Sequence, residues 1–364
     1  MRTSSDVIYL VSCAVNNVIP DRSRVEQMDL DEVYTLAEHH MLKAAVAFAL
    51  DSAGIKDKRS RDVISRSQRK TVLFANAWEE IKQKLEAANI WYMPLKGAIL
   101  KDFYPKFGMR EFSDYDILFD ASREEELKNI MEGLGFTTEK YDASHHDIYH
   151  KAPVLNFEMH TKLVPLGEND QVREYYSHIE DKLVRDDGYE RRFTPEDCYI
   201  YLVVHEYKHY SRGGTGLRSL LDTYIYLKHE ELDMCYVADE TEKLGIRNFE
   251  EINRSLSKHL FDGEELTAAE QEMLDYILSS GAYGTAKHSI QNKMRKRGWS
   301  KLQYVLHRFL VPVNKSNPDY RAYSKQYPTW YRYKILLLVL PFYRLVRAVT
   351  AGRFKREVKE LKDV

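Results

Sequence analysis

The chain has little cysteine and no long hydrophobic run. Its three cysteines, Cys13, Cys198 and Cys235, lie far apart and form no CxxC pair, which excludes a disulfide framework and is typical of a reducing cytoplasm. The longest apolar run, residues 335–343, is about half a membrane span and contains Pro341, so it predicts a buried helix end or an interfacial segment. We therefore expect a globular, cytoplasmic protein without a transmembrane segment.

Net charge is also small, at −2 over 364 residues, but it is distributed unevenly. Residues 291–364 contain 18 Lys or Arg and 4 Asp or Glu, a local charge of +14, so the preceding residues carry −16. A basic region with interleaved aromatic residues can contact RNA or an anionic membrane surface, which would make the protein peripheral to the membrane. The alternative is a helix pair that packs on the body with its cations in solvent.

The pattern of apolar residues divides the chain into four regions. Helical spacing predicts an N-terminal helical region at 1–88. Three short apolar runs alternate with helical patterns in 89–165, which predicts a small α/β core. Helical patterns return in 166–290, where Thr194 is followed by proline and two acids, and they continue in the basic region 291–364. The fold class is therefore α+β, with a small mixed β-sheet core flanked by N- and C-terminal helical regions.

Two aspartates open the second predicted strand. Residues i and i+2 of a strand share a face, so Asp114 and Asp116 point their carboxylates in the same direction. Near an apolar sheet such a pair is costly unless a cation lies between the groups, and hard oxygen ligands suit Mg²⁺. By itself the pair favours the alternative, in which Asp114 caps or turns and only Asp116 faces solvent at the polar edge of a strand.

Two further features favour the metal site. The upstream segment PLKGAIL predicts a strand, a glycine turn and a helix start, where free backbone N–H groups can hold phosphate. Downstream, the third strand contains Glu158 between Phe157 and Met159, an unusual place for a carboxylate unless it has a function. The three features together predict one site that binds metal and phosphate.

The segment PLKGAILKDFYPKFGMREFSDYDILF, followed by FEMH, resembles uncharacterised bacterial nucleotidyltransferases of the DNA polymerase β superfamily. The shared order is a Lys-Gly turn, Tyr-Pro, Arg, Asp-x-Asp and a later Glu-x-His, over about 70 residues. HEYKH and LRSLLD resemble parts of the family's helical region. The resemblance implies an enzyme that transfers a nucleoside monophosphate from an NTP such as ATP to a hydroxyl acceptor and releases pyrophosphate. The acceptor, whether a small molecule, a protein or RNA, is not identified by it.

The resemblance also implies a metal site. Asp114 and Asp116 would bind two Mg²⁺ ions, and Glu158 would complete the site for the ion that activates the acceptor hydroxyl. One departure bears on activity, because Ala98 follows Gly97 where the wider superfamily usually has serine. A catalytically inactive module that binds nucleotide is therefore the non-enzyme alternative.

Three residues are implied in phosphate binding. Gly97 would let the nucleotide phosphates approach the backbone, and Lys96 and Arg110 would neutralise their charge. Lys96 can equally be structural. Arg110 can instead pair with Asp114 or Glu111 and hold the loop.

HEYKH, residues 205–209, also fits the H-E-x-x-H pattern of zinc metallopeptidases, with Glu206 as the base. The longer form of that pattern is not matched, so this is an alternative function. In the nucleotidyltransferase interpretation, His205 and His209, with Arg218 and Asp222 from the next helix, line the cleft opposite the sheet and touch substrate. Structural hydrogen bonding of the two histidines is the competing explanation.

A last set of histidines lies around the third strand. His160 shares a strand face with Glu158, so it can orient that carboxylate, contact substrate or simply pack. His145 and His146 fall in a polar connector, where we expect them to lie in solvent.

Overall fold

The computed structural model describes residues 2–141, 145–165, 169–185, 188–310, 312, 313, 315 and 320–350. By its contacts the chain divides into two compact units. The first unit comprises residues 1–207 and 216–282, and the second comprises residues 208–215 and 283–364. The four-region division given above stays a prediction.

The first unit begins with a set of helices that supports the sheet. They are α1 (Arg2–Val15), α2 (Arg22–Val25), α3 (Leu30–His39), α4 (Lys43–Ser52) and α5 (Lys58–Ala87). The side chains of Asp29 and Asp57 cap α3 and α5 by accepting backbone N–H groups of the first turn. Helix α5 is 30 residues long, and its buried residues include Phe74 and Ile81, which belong to the same core as the sheet.

A five-stranded sheet follows, with short helices between its strands. Its elements are β1 (Tyr92–Pro94), α6 (Gly97–Leu100), β2 (Tyr115–Phe119), the 3-10 helix Ala121–Arg123, α7 (Glu124–Gly133), β3 (Thr137–Lys140), β4 (His146–Lys151) and β5 (Leu155–His160). The strand order is β1-β2-β5-β4-β3. Only β2 and β5 pair in parallel, and the other neighbours are antiparallel. The mixed sheet with helical flanks confirms the α+β class.

The two faces of the central strands differ in chemistry. On β2, Tyr115, Ile117 and Phe119 are buried in a core that also contains Phe157 and Met159 of β5 and residues of α5 and α7. Because side chains alternate along a strand, the residues between these face the other side of the sheet. The apolar face fixes the register of β2 and β5, and the opposite face is therefore available for polar groups.

The rest of the first unit is mainly helical. Its elements are α8 (Asp170–Tyr175), the 3-10 helix Ile179–Lys182, β6 (Val184–Arg185), β7 (Arg191–Arg192), α9 (Pro195–Arg212), α10 (Leu217–His229), α11 (Met234–Lys243), α12 (Arg247–Asp262) and α13 (Ala268–Ser280). Thr194 begins α9 as predicted, because its Oγ1 accepts the N–H of Asp197 at 3.1 Å. The last turn of α9 belongs to the second unit.

The second unit consists of helices with many exposed apolar side chains. Its remaining elements are α14 (Ala286–Arg297), α15 (Lys301–Phe309), α16 (Tyr320–Gln326), α17 (Pro328–Arg332), the 3-10 helix Lys334–Leu338 and α18 (Leu340–Thr350). Leu302, Leu338 and Phe342 are more than half exposed. In the described part of the chain, no helix is long and apolar enough to cross a membrane.

Candidate active site

Four polar side chains lie on one face of strands β2, β5 and β4. Asp116 is in register with Glu158 across the parallel pair β2–β5, and His160 follows Glu158 by two positions. His146 of β4 is in register with His160. Register partners and residues two apart share a face of the sheet, so all four project away from the aromatic core.

Asp116 is the most buried carboxylate of this group. Its Oδ1 accepts a hydrogen bond from Lys96 Nζ at 2.9 Å and another from His160 Nε2 at 2.8 Å. Although burial raises it, the pKa of Asp116 is held well below its usual range by Lys96 and His160. Asp116 is therefore ionised at neutral pH.

The turn before α6 delivers the Lys96 ammonium to this carboxylate. Lys96 has φ 47° and ψ −114°, a backbone conformation that non-glycine residues rarely adopt and that persists where the surroundings enforce it. The turn is tied to β2 because the Leu95 N–H donates to the Asp116 carbonyl oxygen at 3.0 Å. It is tied to α6 because the Leu100 N–H donates to the Lys96 carbonyl oxygen at 2.9 Å. Such strained turns are concentrated at functional sites.

Glu158 is half-open to solvent beside this buried pair. Its Oε2 lies 3.8 Å from His160 Nε2 and 3.7 Å from His146 Nε2. Burial first, and then the negative charges of Asp116 and Asp114, raise the pKa of Glu158 to about 7. A carboxyl group with this pKa can bind or release a proton near neutral pH, and a cation bound beside it would favour its ionised form.

The two histidines of the site are uncharged at neutral pH. Burial lowers the pKa of His146 to about 4, with a further contribution from His160. Burial also lowers the pKa of His160, despite its hydrogen bond to Asp116. Neutral imidazole is the form that binds metal ions. The expectation that His146 lies in solvent is wrong, because β4 places this side chain in the site with 15 % of its surface exposed.

The donors present fit a divalent metal ion. Ligand atoms of Asp116, Glu158 and His160 all lie within 4.8 Å of one another, and so do those of His145, His146 and His160. Asp114 lies immediately before β2 and, among the described residues, belongs to neither group. Its charge nevertheless contributes to the raised pKa of Glu158.

A family model described as an uncharacterised nucleotidyltransferase matches residues 26–262, well over half of the chain. The chain belongs to that family. The matched region contains the whole sheet together with α9 and α10, and the resemblance drawn from the Lys-Gly turn, Asp-x-Asp and Glu-x-His is thereby confirmed. Neither the curated proteins nor the solved structures contain a match to the chain.

Arg110 pairs with a residue distant in sequence. Its Nε and Nη2 donate to Oδ1 and Oδ2 of Asp222 on α10, each at 2.8 Å, and Tyr104 also donates to Asp222 at 2.7 Å. The alternative pairing with Asp114 or Glu111 is therefore wrong. Arg110 links the loop before β2 to α10, and both carboxylate oxygens of Asp222 accept hydrogen bonds in this link.

The remaining nitrogen of Arg110 explains the glycine of the turn. A Cβ added at Gly97 would lie 2.5 Å from Arg110 Nη1, so any larger residue would displace the guanidinium. Nη1 is buried and has no hydrogen-bond partner among the described residues. The guanidinium thus occupies the space beside Gly97 and adds a positive charge behind the turn.

The HEYKH segment of the chain does not have the arrangement of a zinc peptidase. Glu206 is 5 % exposed, and its Oε2 accepts from Asn253 Nδ2 at 3.0 Å and Thr223 Oγ1 at 3.4 Å. Burial raises the pKa of Glu206 to about 8, so it is largely protonated at neutral pH. Across the residues that the structure describes, His205 and His209 belong to no group of metal ligands.

The predicted cleft-lining residues of α10 have other contacts as well. Arg218 Nη1 donates to the Glu111 carbonyl oxygen at 3.1 Å and lies 3.1 Å from Met41 Sδ. Asp222 binds Arg110, as described. His205 has its ring 6.5 Å from that of Tyr201, one turn earlier on α9. Direct contact of these residues with substrate stays a prediction.

Tyr201 is a member of the site that the sequence did not single out. It is buried, and its hydroxyl has no hydrogen-bond partner within the described residues. Burial raises the pKa of Tyr201 to about 12, while the charge of Lys96 lowers it and that of Asp116 raises it. The available signal was its spacing of four residues from His205, which places both on one side of α9.

Proposed function

We propose that the protein is a Mg²⁺-dependent nucleotidyltransferase that transfers a nucleoside monophosphate from an NTP to a hydroxyl acceptor, with release of pyrophosphate. The observation that supports it best is the meeting of Asp116 and Glu158 on adjacent parallel strands next to the Lys96 turn. Membership of the nucleotidyltransferase family supports the reaction class. The acceptor would be a small molecule, a protein side chain or RNA.

The metal ions would be held by Asp114, Asp116 and Glu158. Bound there, two Mg²⁺ ions would supply a more nucleophilic acceptor oxygen and a counter-charge for the triphosphate. The chain itself supplies a buried, ionised carboxylate at Asp116 and a half-open one at Glu158. Because its pKa is about 7, Glu158 in the metal-free protein can also hold a proton taken from solvent or acceptor.

Phosphate binding is proposed for the turn formed by Lys96 and Gly97. The turn carries the Lys96 ammonium, and the Arg110 guanidinium lies directly behind Gly97. Both cations would favour the negatively charged triphosphate, although Lys96 also has a structural partner in Asp116. Because Ala98 has no hydroxyl group, the phosphates would be contacted by backbone N–H groups of the turn and by these two cations.

The proposal is tested by transfer of label from NTPs that carry it on the α-phosphate, with and without Mg²⁺. Small-molecule alcohols, total RNA and a protein extract serve as acceptors. We expect Mg²⁺-dependent labelling or pyrophosphate release that Asp116→Asn and Glu158→Gln each reduce at least about a hundredfold. Asp120→Asn is the matched control, because it lies just after the same strand and asparagine can keep its capping contact with Ser122.

NTP binding without release of pyrophosphate, with any of these acceptors, would instead support an inactive nucleotide-binding module. Labelling that is unchanged in Asp116→Asn and Glu158→Gln would contradict the assigned site.

For the second unit we propose contact with an anionic membrane surface. On α18, Phe342, Tyr343 and Val346 are exposed by 59 %, 43 % and 62 %, and Arg344 and Arg347 lie on the same helix. Exposed aromatic and aliphatic side chains next to cations are typical of helices that lie in a lipid interface.

This contact is tested by sedimentation with vesicles. We expect binding to vesicles that contain anionic lipid, weaker binding to neutral vesicles, and loss of binding in Phe342→Ser/Val346→Ser. Equal binding of that variant, or binding to RNA alone, would contradict the membrane proposal.

A further inference from the structure

We propose that His146, His160 and Glu158 form a binding site for a divalent transition metal ion, of the class of Zn²⁺, Co²⁺ or Mn²⁺. Because it names the metal class of the same site, this inference rests on the proposed function. It differs from the Asp-and-Glu site for Mg²⁺ because two of its three ligands are imidazoles.

The distances between the donor atoms support a single bound ion. Glu158 Oε2 lies 3.7 Å from His146 Nε2 and 3.8 Å from His160 Nε2. One ring nitrogen of His146 and one of His160 also lie within 4.8 Å of each other, in a group with His145. In a tetrahedral site with bonds of about 2.0–2.1 Å, the ligand atoms are roughly 3.3 Å apart. Side-chain adjustments at the two imidazole rings would therefore be needed to bring the three donors to a common ion.

Strands β4 and β5 hold the three ligands close together before any metal ion binds. His146 and His160 are register partners on β4 and β5, and Glu158 precedes His160 by two positions on the same face. Rigid strands hold ligands better than loops do, so little conformational entropy is lost on binding. An apolar core on the opposite face of β5, including Phe157 and Met159, fixes the strand that carries two of the ligands.

Two neighbouring side chains, those of His145 and Asp116, contact the histidine ligands. His145 Nε2 lies 3.2 Å from Nδ1 of His146, a contact that orients the ring with its Nε2 toward Glu158. Asp116 Oδ1 now accepts from His160 Nε2 at 2.8 Å. If Nε2 of His160 bound a metal ion, the ring proton would reside on Nδ1, and Asp116 Oδ1 would lose this hydrogen bond and keep the one from Lys96 Nζ at 2.9 Å.

The chemistry of these ligands selects among metal ions. Imidazole suits Zn²⁺, Co²⁺ and Mn²⁺, whereas Mg²⁺ prefers oxygen ligands and retains its water. For a nitrogen-containing site, affinity also rises from Mn²⁺ to Co²⁺ along the first-row series. We therefore expect Zn²⁺ to bind far more tightly than Mg²⁺, and Co²⁺ to report on the geometry.

The test measures metal binding directly, without turnover. Isothermal titration with Zn²⁺ and visible absorption with Co²⁺ are carried out on the full-length protein without nucleotide. We expect one tight Zn²⁺ equivalent and the intense visible bands of low-coordinate Co²⁺, with affinity at least about tenfold weaker in His146→Ala. His150→Ala is the matched control, because His150 is on the same strand but pairs with Glu139.

His160 is buried, so His160→Gln is used as the second variant and its fold is checked by circular dichroism. Zn²⁺ affinity that is equal in wild type, His146→Ala and His160→Gln would overturn the inference, as would the weak spectrum of an all-oxygen Co²⁺ site. The proposed function fails separately, through the absence of Mg²⁺-dependent labelling from NTP. Tight Zn²⁺ binding without such labelling would support the metal site and contradict the proposed nucleotidyltransferase function.

Discussion

Two glutamates, Glu158 on β5 and Glu206 on α9, both have a raised pKa but have different surroundings. Burial is the first cause of the raised pKa in both, which is about 7 for Glu158 and about 8 for Glu206. The side chain of Glu158 is 21 % exposed and faces Asp116 and two histidines. Glu206 is enclosed and bonded to the neutral groups of Asn253 and Thr223. A perturbed carboxyl within a motif therefore indicates a reactive site only when charged and metal-binding groups meet around it.

The largest effect expected from breaking the charged cluster is on stability. Asp116→Asn leaves the Lys96 ammonium buried without its counter-charge, so we expect the free energy of unfolding to fall by about 3–5 kcal/mol. Urea denaturation followed by circular dichroism measures it. In Lys96→Met/Asp116→Asn both charges are absent, so the loss should be clearly smaller than the sum of the two single losses. Additive losses would mean that the ion pair is not formed.

The enclosed glutamate should govern the pH dependence of stability. The folded pKa of Glu206, about 8, lies above the ordinary value of 4.5, so between these values the folded state holds a proton that the unfolded state has released. Its contribution to the free energy of unfolding is full below pH 4.5 and is lost as pH rises through 8, at about 1.4 kcal/mol per pH unit. In Glu206→Gln this contribution should disappear and only the smaller one of Glu158, whose pKa is raised to about 7, should remain, as measured by urea denaturation at several pH values.

Added divalent metal should distinguish Glu158 from Glu206. A cation at the sheet would favour ionised Glu158, so adding Mg²⁺ or Zn²⁺ should change the pH profile of the wild type and of Glu206→Gln by the same amount. Glu158→Gln should lose that response to metal. A metal response that is lost in Glu206→Gln but kept in Glu158→Gln would place the metal at the helix.

The smallest effect is expected for Tyr201, whose buried hydroxyl has no hydrogen-bond partner in the described part of the chain. Tyr201→Phe should change the free energy of unfolding by less than about 1 kcal/mol. Tyr199→Phe on the same helix is the control, because the Tyr199 hydroxyl donates to Glu250 Oε1 at 2.8 Å and its loss should cost about 1–3 kcal/mol. Thermal or urea denaturation distinguishes them, and equal losses would show that the Tyr201 hydroxyl has a partner.

The sequence predicted those features that depend on local alternation. Strand periodicity placed Asp116 and Glu158 opposite the apolar residues of their strands, and the structure brings both carboxylates to the same face. Thr194 was recognised as a helix start from its neighbours alone. The family and the α+β class followed from the order of such local signals.

What depends on long-range pairing could not be predicted. The partner of Arg110 is Asp222, 112 positions away, and no local pattern indicates it. Strands β3 and β4 were missed because TTEK and HDIYHK are too polar to give a strand signal, and with β4 the position of His146 was lost. The Lys96 conformation has φ 47° at a non-glycine residue, which sequence propensity disfavours.

The most direct test of the central claim is the Mg²⁺-dependent binding of ATP, measured by isothermal titration with wild type, Asp116→Asn, Glu158→Gln and Glu206→Gln. Our account predicts that Mg²⁺ strengthens ATP binding to wild type and Glu206→Gln, and that this gain is lost in Asp116→Asn and Glu158→Gln. The same Mg²⁺-dependent gain in all four proteins, or its loss in Glu206→Gln alone, would contradict it.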